Sequence, residues 1–214
     1  MPPGEPQLAS DVARSIAQRS RAAREQRYLE EVRRLLDAGL EVMRVCGTAS
    51  SPRVADIVAA AGLSNDAFYR HFGSKEALVA AILEDGTLRL SGYLHHQMAK
   101  ATTPEAQVRR WVAGVLAQAG DEAVAETTRA VMWNGGSVSE RAGLGQPSTA
   151  AALAPLLEGP FAALGSSAPG ADALLCAHAV VGLLSDHLHR RSRPTRREVD
   201  RTYEFCMAAL AGHH

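Results

Sequence analysis

The chain has 214 residues, and its 23 lysines and arginines are balanced by 23 aspartates and glutamates. This neutral composition excludes a protein that binds nucleic acid through its overall net charge, so any positive surface must be local. The three cysteines are odd in number and far apart, which favours reduced core thiols over a disulfide framework. We see no apolar run of the roughly 20 residues that cross a bilayer and no signal peptide, and we expect a soluble, cytoplasmic protein.

Residues 1–26 are predicted to form a flexible basic arm ahead of the first helix. Between residues 12 and 24 the chain carries Arg14, Arg19, Arg21 and Arg24 without an acidic residue. Such an arm could lie along the phosphates of a nucleic acid or enter a minor groove. A solvated terminal extension would have the same composition, and the sequence leaves both readings open.

Two short helical patterns joined by a tight turn follow the first helix. Apolar residues recur at helical spacing between residues 53 and 60, which predicts a short amphipathic helix. Gly62 can adopt the left-handed conformation that redirects the chain. Ser64 can cap the second helix, predicted over residues 65–70. Two short helices around a glycine turn are typical of a helix-turn-helix DNA-binding unit.

The outward side of the second helix is predicted to contact DNA. Phe68 and Phe72 are four residues apart and should point inward. The remaining side chains can hydrogen-bond base edges, touch a thymine methyl group or reach a phosphate. The expected DNA-binding set is Arg53, Ser64, Asn65, Asp66, Ala67, Tyr69, Arg70, His71 and Lys75.

Two charged residues of this set have specific interpretations. Lys75 stands in the first turn of the helix that Ser74 caps, where it opposes the helix dipole and suggests a negatively charged partner such as phosphate. Asp66 could accept a hydrogen bond from a cytosine amino group or simply interact with its own helix dipole. Both readings of Asp66 remain open.

The segment from about residue 27 to residue 85 resembles the DNA-binding domain of the tetracycline-repressor (TetR) family of transcriptional regulators. The motifs that carry the resemblance are DIV at 56–58, AGLS at 61–64, FYRHF at 68–72 and KEAL at 75–78. The family more often has threonines where this chain has Pro52 and Arg53. We therefore expect Ser50 or Ser51 to cap the first of the two short helices and Arg53 to take the phosphate contact.

The chain beyond residue 75 is predicted to remain helical. Thr103 and Pro104 open one helix, and Asp121 opens another. Residues 134–147 are rich in glycine and serine without a helical period, which predicts a long loop that is either a mobile lid or disordered.

The last two helices, 171–191 and 196–210, have more apolar positions than one internal face requires. The resemblance implies that they form a four-helix bundle with a second subunit. The expected interface is Leu175, Val180, Leu184, Leu188, Phe205 and Ala209. A purely internal role for these residues is the alternative.

The resemblance also implies a pocket for a small-molecule effector in this C-terminal region. Low aromatic content and many alanines, leucines and valines favour an apolar effector. The expected lining residues are Trp111, Met132, Trp133, Asn134 and His178, and ordinary core or surface positions are the alternative for each. A metal site at His178, Asp186 and His187 is a weaker reading, and no cofactor is expected.

These patterns together predict an all-α fold of about nine helices. The predicted units are the arm (1–26), a three-helix DNA-binding domain (27–74) and a helical ligand-binding and dimerisation domain (75–214). The resemblance implies a repressor that binds a pseudo-palindromic operator as a homodimer and is released by an effector. The alternative is a helix-turn-helix protein that acts through a protein partner without an effector. The sequence has no familiar catalytic motif, and we do not expect an enzyme.

Overall fold

The computed structural model describes the backbone of residues 5–142 and 148–211 and the side chains of residues 13–134 and 148–210. These ranges form ten α-helices and one short 3₁₀ turn, Ala117–Ala119. The helices are α1 Glu5–Cys46, α2 Val54–Ala61, α3 Asn65–His71, α4 Lys75–Met98, α5 Pro104–Leu116, α6 Glu122–Ala142, α7 Thr149–Leu153, α8 Pro155–Ala163, α9 Pro169–Arg190 and α10 Arg196–Ala211. The predicted all-α fold is confirmed.

The N-terminal helices enclose the first of two hydrophobic cores. Leu35 and Met43 of α1 pack with Ile57 of α2, Phe68 of α3 and Leu78 of α4. Ala130 and Val131 of α6 complete this core from the C-terminal half of the chain. The DNA-binding unit is therefore closed by helices that lie outside residues 27–74.

The second core fills the C-terminal half. Trp111 of α5, Leu157 and Phe161 of α8, and Ala177 of α9 are fully buried in it. Leu94 and Met98, at the end of α4, belong to this core, whereas Leu78 and Ile82, at its start, belong to the first. Thus one continuous helix of 24 residues connects the two cores.

The turn between α2 and α3 forms as its sequence predicts. Gly62 has φ +60°, and the amide of Leu63 donates to the carbonyl of Val58 at 2.9 Å, which closes the end of α2. Ser64 then caps α3, because its Oγ accepts from the amide of Ala67 at 3.1 Å.

The prediction of a flexible arm is wrong for residues 5–26. These residues are the first half of α1, which is 42 residues long. After Pro6 the segment contains no proline or glycine and many alanines, arginines and glutamines, which are strong helix formers. The helix continues toward the N-terminus from the packed part of α1, which begins near residue 31. Residues 1–4 lie outside the described residues.

The prediction of a loop over residues 134–147 is wrong for its first part. Helix α6 continues through Gly135 and Gly136 to Ala142. A glycine inside a helix costs only about 1 kcal/mol, so an established helix can extend through two of them. Residues 143–147 lie outside the described residues.

Helix α9 differs from the expectation that no segment is long and apolar enough to cross a bilayer. Among the described residues it is the one helix whose length and composition would allow it to cross a membrane. Ala173, Ala177, Val180 and Leu184 of this helix are buried in the second core. Its apolar character therefore has a structural explanation as a core helix.

The cysteines form no disulfide, and two of them meet inside the second core. Cys176 of α9 and Cys206 of α10 are both buried. The hydrogen bond between the two thiols, together with burial, raises the pKa of Cys206. The thiol of Cys206 is thus held in its neutral form.

We predict that Gly62→Ala lowers the free energy of unfolding by about 1–2 kcal/mol, because φ is positive at this position. An added Cβ would also stand 2.9 Å from Nη2 of Arg34. The matched control is Gly92→Ala, in the exposed middle of α4 with no atom near the added Cβ, which should gain up to about 1 kcal/mol. Urea denaturation followed by circular dichroism, at one protein concentration, measures both. Equal stability of the two variants would contradict the role of the turn.

Candidate nucleic-acid interface

Helix α3 presents a narrower polar face than the sequence predicts. Asn65, Asp66, Tyr69 and Arg70 are exposed, and the side chain of Tyr69 is 57% exposed. Ser64 is exposed too, but its hydroxyl already caps the helix. The side chains that α3 offers to a base edge are therefore the exposed four.

Ala67 is a correction to the predicted DNA-binding set. It is only 4% exposed and packs beside Phe68. Residues 67, 68 and 71 lie one, three or four positions apart and share the inward side of the helix. Ala67 consequently cannot touch a thymine methyl group.

His71 is a second correction. Its side chain is 1% exposed, and its Nε2 lies 2.7 Å from Oε2 of Glu31 on α1. Its ring contacts that of Tyr28 edge-on, with centroids 4.6 Å apart. The hydrogen bond from His71 lowers the pKa of Glu31, and the nearby charge of Arg70 lowers it further. His71 thus anchors the end of α3 to α1.

Three residues of α1 hold the helix-turn-helix in place, and sequence reasoning missed all of them. Tyr28 and Glu31 contact the end of α3, and the guanidinium of Arg34 donates to the carbonyls of Ala61 and Gly62 in the turn. The spacing of three residues places them along one side of α1. That spacing is visible in the sequence, but their partners are 27 to 43 residues away.

The start of α2 forms a second part of the interface. Contrary to our expectation for Ser50 or Ser51, Arg53 occupies the cap position, and no side chain caps the helix. Lys75 reaches this end of α2, since its Nζ donates to Oγ of Ser51 at 2.9 Å. An uncapped helix N-terminus beside two cations is an arrangement that binds phosphate.

The two exposed arginines of the predicted set are held by surface ion pairs. Arg53 makes two hydrogen bonds with Asp56, at 2.8 and 3.0 Å, and these lower the pKa of Asp56. Arg70 lies 3.5 Å from Glu31. Exposed ion pairs contribute at most about 1 kcal/mol, so either arginine can exchange its carboxylate for a DNA phosphate at small cost.

A cavity of about 810 Å³ lies between α4, α6 and α9. Leu40 of α1, Ile82 and Leu83 of α4, and Val131 of α6 line it, so the cavity borders the helices of the DNA-binding unit. Its polar lining is mostly neutral, with Thr87, Thr127, Thr128, Thr149, Ser185 and Gln118. Three charged residues also line the cavity. Asp85 and Arg89 form an ion pair at 2.8 Å, and the carboxylate of Asp121 accepts hydrogen bonds from the amides of Ala123 and Val124.

Of the predicted effector-binding residues, only Met132 lines this cavity. Trp111 is fully buried in the second core, and Asn134 is buried with its side-chain amide donating to the carbonyl of Ala130. Trp133 and His178 are exposed. The threonines that do line the cavity were missed, because threonines on a helix resemble an ordinary solvated face in sequence.

The predicted dimer interface divides into two groups. Val180, Leu184 and Leu188 are buried inside the protomer and cannot contact a second one, which corrects the prediction for these three. Leu175 and Phe205 are 70% and 58% exposed, and Ala209 is half-buried. One face of α9 and α10 therefore remains apolar and exposed.

The segment that contains α2 and α3 matches a known family. The sequence profile of bacterial regulatory proteins of the tetR family matches residues 35–82. That range begins in α1, includes α2 and α3, and ends in α4, where the first core is closed. No curated protein sequence matches the chain.

Solved structures share the fold over most of the chain. A TetR-family transcriptional regulator from Mesorhizobium loti is 16% identical, with a TM-score of 0.64 over 86% of this chain and 97% of that one. The fatty acid degradation regulator FadR from Bacillus halodurans is 18% identical, with a TM-score of 0.56 over 83% and 94%. FadR from Bacillus subtilis in complex with stearoyl-CoA is 14% identical, with a TM-score of 0.51 over 85% and 98%. The fold is thus that of TetR-family regulators, and residues 35–82, which contain the helix-turn-helix, are similar to the matching segment of that family.

Proposed function

We propose that this protein is a TetR-family transcriptional regulator, a cytoplasmic repressor that binds a pseudo-palindromic operator as a homodimer and is released by a small, mainly apolar effector. The observation that carries the proposal is the shared position of α4. The same helix closes the core that holds α3 and lines the cavity. An effector that changes the path of α4 would therefore move the DNA-contacting face.

The size of the DNA face supports a dimer. Helix α3 has seven residues and four exposed polar side chains, which can contact only a few base pairs. Two such helices related by a two-fold axis double the contacts and require a site with matching symmetry. The spacing of the half-sites is then set by the interface that joins the protomers.

The exposed apolar face of α9 and α10 supports the position of that interface. Leu174, Leu175 and Ala179 are exposed on α9, and Phe205 and Ala208 are exposed on α10. Gly182 is exposed on the same side of α9, where its missing side chain permits close approach of another helix. A second copy of the face would cover these apolar side chains.

The chemistry of the cavity supports an apolar effector. Its walls are mainly aliphatic side chains with scattered hydroxyl groups, its charged residues are Asp85, Arg89 and Asp121, and its volume suits a small organic molecule. FadR from Bacillus subtilis, which shares the fold, is known in complex with stearoyl-CoA. In a dimer, an effector can bind more tightly to a conformation in which the spacing of the two α3 helices does not match the DNA. The free energy of DNA binding is then weakened by the difference between the effector's binding free energies for the two conformations.

The experiment that tests DNA recognition is selection of bound sequences from a random duplex library, followed by titration of the enriched duplex. We expect a palindrome to be enriched. Asn65→Ala should then weaken binding to the enriched duplex by roughly 1–3 kcal/mol, since a side chain that contacts a base edge contributes this much. Tyr69→Phe is the comparison, because loss of a phosphate contact weakens enriched and random duplexes alike. Equal losses on both duplexes for Asn65→Ala would contradict its role.

The dimer interface can be tested with two leucines of similar exposure. Leu175→Glu, on the apolar face of α9, should halve the mass measured by light scattering, because it places a charge in the interface. Leu88→Glu, on α4 and 65% exposed, should leave the mass unchanged. A dimer that survives Leu175→Glu would place the interface elsewhere.

The cavity can be tested with the apolar fluorophore N-phenyl-1-naphthylamine. Thr128→Trp fills part of the cavity and should weaken binding of this probe at least tenfold, or about 1.4 kcal/mol. Thr102→Trp, at an exposed position away from the cavity, is the control and should bind the probe like the wild type. Unchanged binding in both variants would show that the cavity does not hold apolar molecules of this size.

A further inference from the structure

The first half of α1 extends beyond the body of the DNA-binding unit. Residues 13–30 are exposed on every side of the helix, and burial begins only near residue 31. At 1.5 Å per residue, residues 5–27 form a rod of about 34 Å. The rod joins the unit at Tyr28, which contacts His71 at the end of α3. The rod therefore starts beside α3.

The described part of this rod is strongly basic. The rod contains five arginines, at 14, 19, 21, 24 and 27, and three acidic residues, Glu5, Asp11 and Glu25, of which only Glu25 lies among the arginines. The chain as a whole is neutral, so this is a concentrated local charge. Arg19 and Arg24 each donate from Nε to a backbone carbonyl one turn earlier, at 3.4 and 3.1 Å.

The helical repeat places three of these arginines on the side of α1 that faces α3. Residues seven apart on a helix differ by only about 20° in direction. Arg21 and Arg14 lie 7 and 14 residues before Tyr28, and Arg24 lies 7 residues before Glu31. Tyr28 and Glu31 are the residues that contact α3. Arg14, Arg21 and Arg24, which we call the arginine face, extend this side outward.

We propose that the arginine face binds the sugar-phosphate backbone of the duplex that α3 contacts, beside the base pairs that α3 reaches. This inference rests on the DNA binding described above. Three guanidinium groups in a row complement a chain of phosphates, and they are continuous with the recognition surface. One strand of B-DNA has a phosphate every 3.4 Å of helix axis, and because the strand winds around that axis, a straight rod can contact a few successive phosphates.

A second protein helix is a poorer occupant for the same surface. Ile16 is the one large apolar side chain between residues 13 and 27. Pairing with another copy of α1 would bury little apolar area and would bring like charges together. A bilayer surface would need a continuous apolar side, which this part of α1 lacks.

The test measures binding of the full chain to a 40-base-pair duplex of random sequence at several salt concentrations. The arginine face should bind without regard to sequence, so an operator is not needed. For R14Q/R21Q/R24Q we expect the slope of log K against log salt to fall by about 0.9 per lost contact, or up to about 2.7 per protomer. Affinity at low salt should fall more than tenfold. Circular dichroism shows whether α1 remains helical, since glutamine is itself a good helix former.

A pair of single variants distinguishes a specific face from net charge. R21Q removes one member of the arginine face, whereas R19Q removes an arginine about 160° away around the helix. The proposal predicts a change of about 0.9 in slope for R21Q and little change for R19Q. Equal effects of the two would overturn it, and so would a wild-type slope in the triple variant. If library selection enriches no operator while these slopes differ as predicted, the operator proposal fails and the arginine face stands.

Discussion

The fold depends on one constraint, which is that α4 belongs to both hydrophobic cores. Its first turns complete the core around α3, and its last turns pack in the core of α5, α8 and α9. A shift of α4 changes the packing of both cores, because well-packed interiors do not deform continuously. The cavity lies beside the middle of this helix. The architecture therefore joins a ligand-sized space to the DNA-contacting surface through a single rigid element.

Helix α3 has only seven residues and gains its position from α1. His71, Glu31 and Tyr28 fix its C-terminal end, and Arg34 fixes the turn that precedes it. These contacts leave only a small exposed face on α3. Because this face can reach few base pairs, DNA binding requires a second, symmetry-related helix or additional contacts. The long α1 provides the route for such contacts, since the helix that orients α3 also carries the arginines.

Local signals in the sequence predict the helix-turn-helix well. Gly62 has the left-handed conformation that a glycine permits, and Ser64 and Ser74 cap the helices they were expected to cap. Such features depend on neighbours within four residues. The inward position of Ala67 and His71 depends on α1, which is distant in sequence. The helical course of residues 5–26 and of 134–142 depends on continuation of a helix that formed elsewhere. No glycine or proline follows Pro6 in the first segment, and the cost of Gly135 and Gly136 does not end the second.

In the C-terminal region, side-chain positions depend even more on contacts that are distant in sequence. Apolar residues of α9 are visible in sequence, but whether each faces the protomer core or a partner depends on how α5 and α8 pack. For this reason Val180 and Leu184 are internal, while Leu175 and Phe205 are exposed.

The proposal of a symmetric DNA-binding dimer is tested most directly by a hydroxyl-radical footprint of the full chain on a selected duplex. A symmetric dimer should give two protected patches related by a two-fold axis and separated by whole helical turns. A single unsymmetrical patch would contradict it.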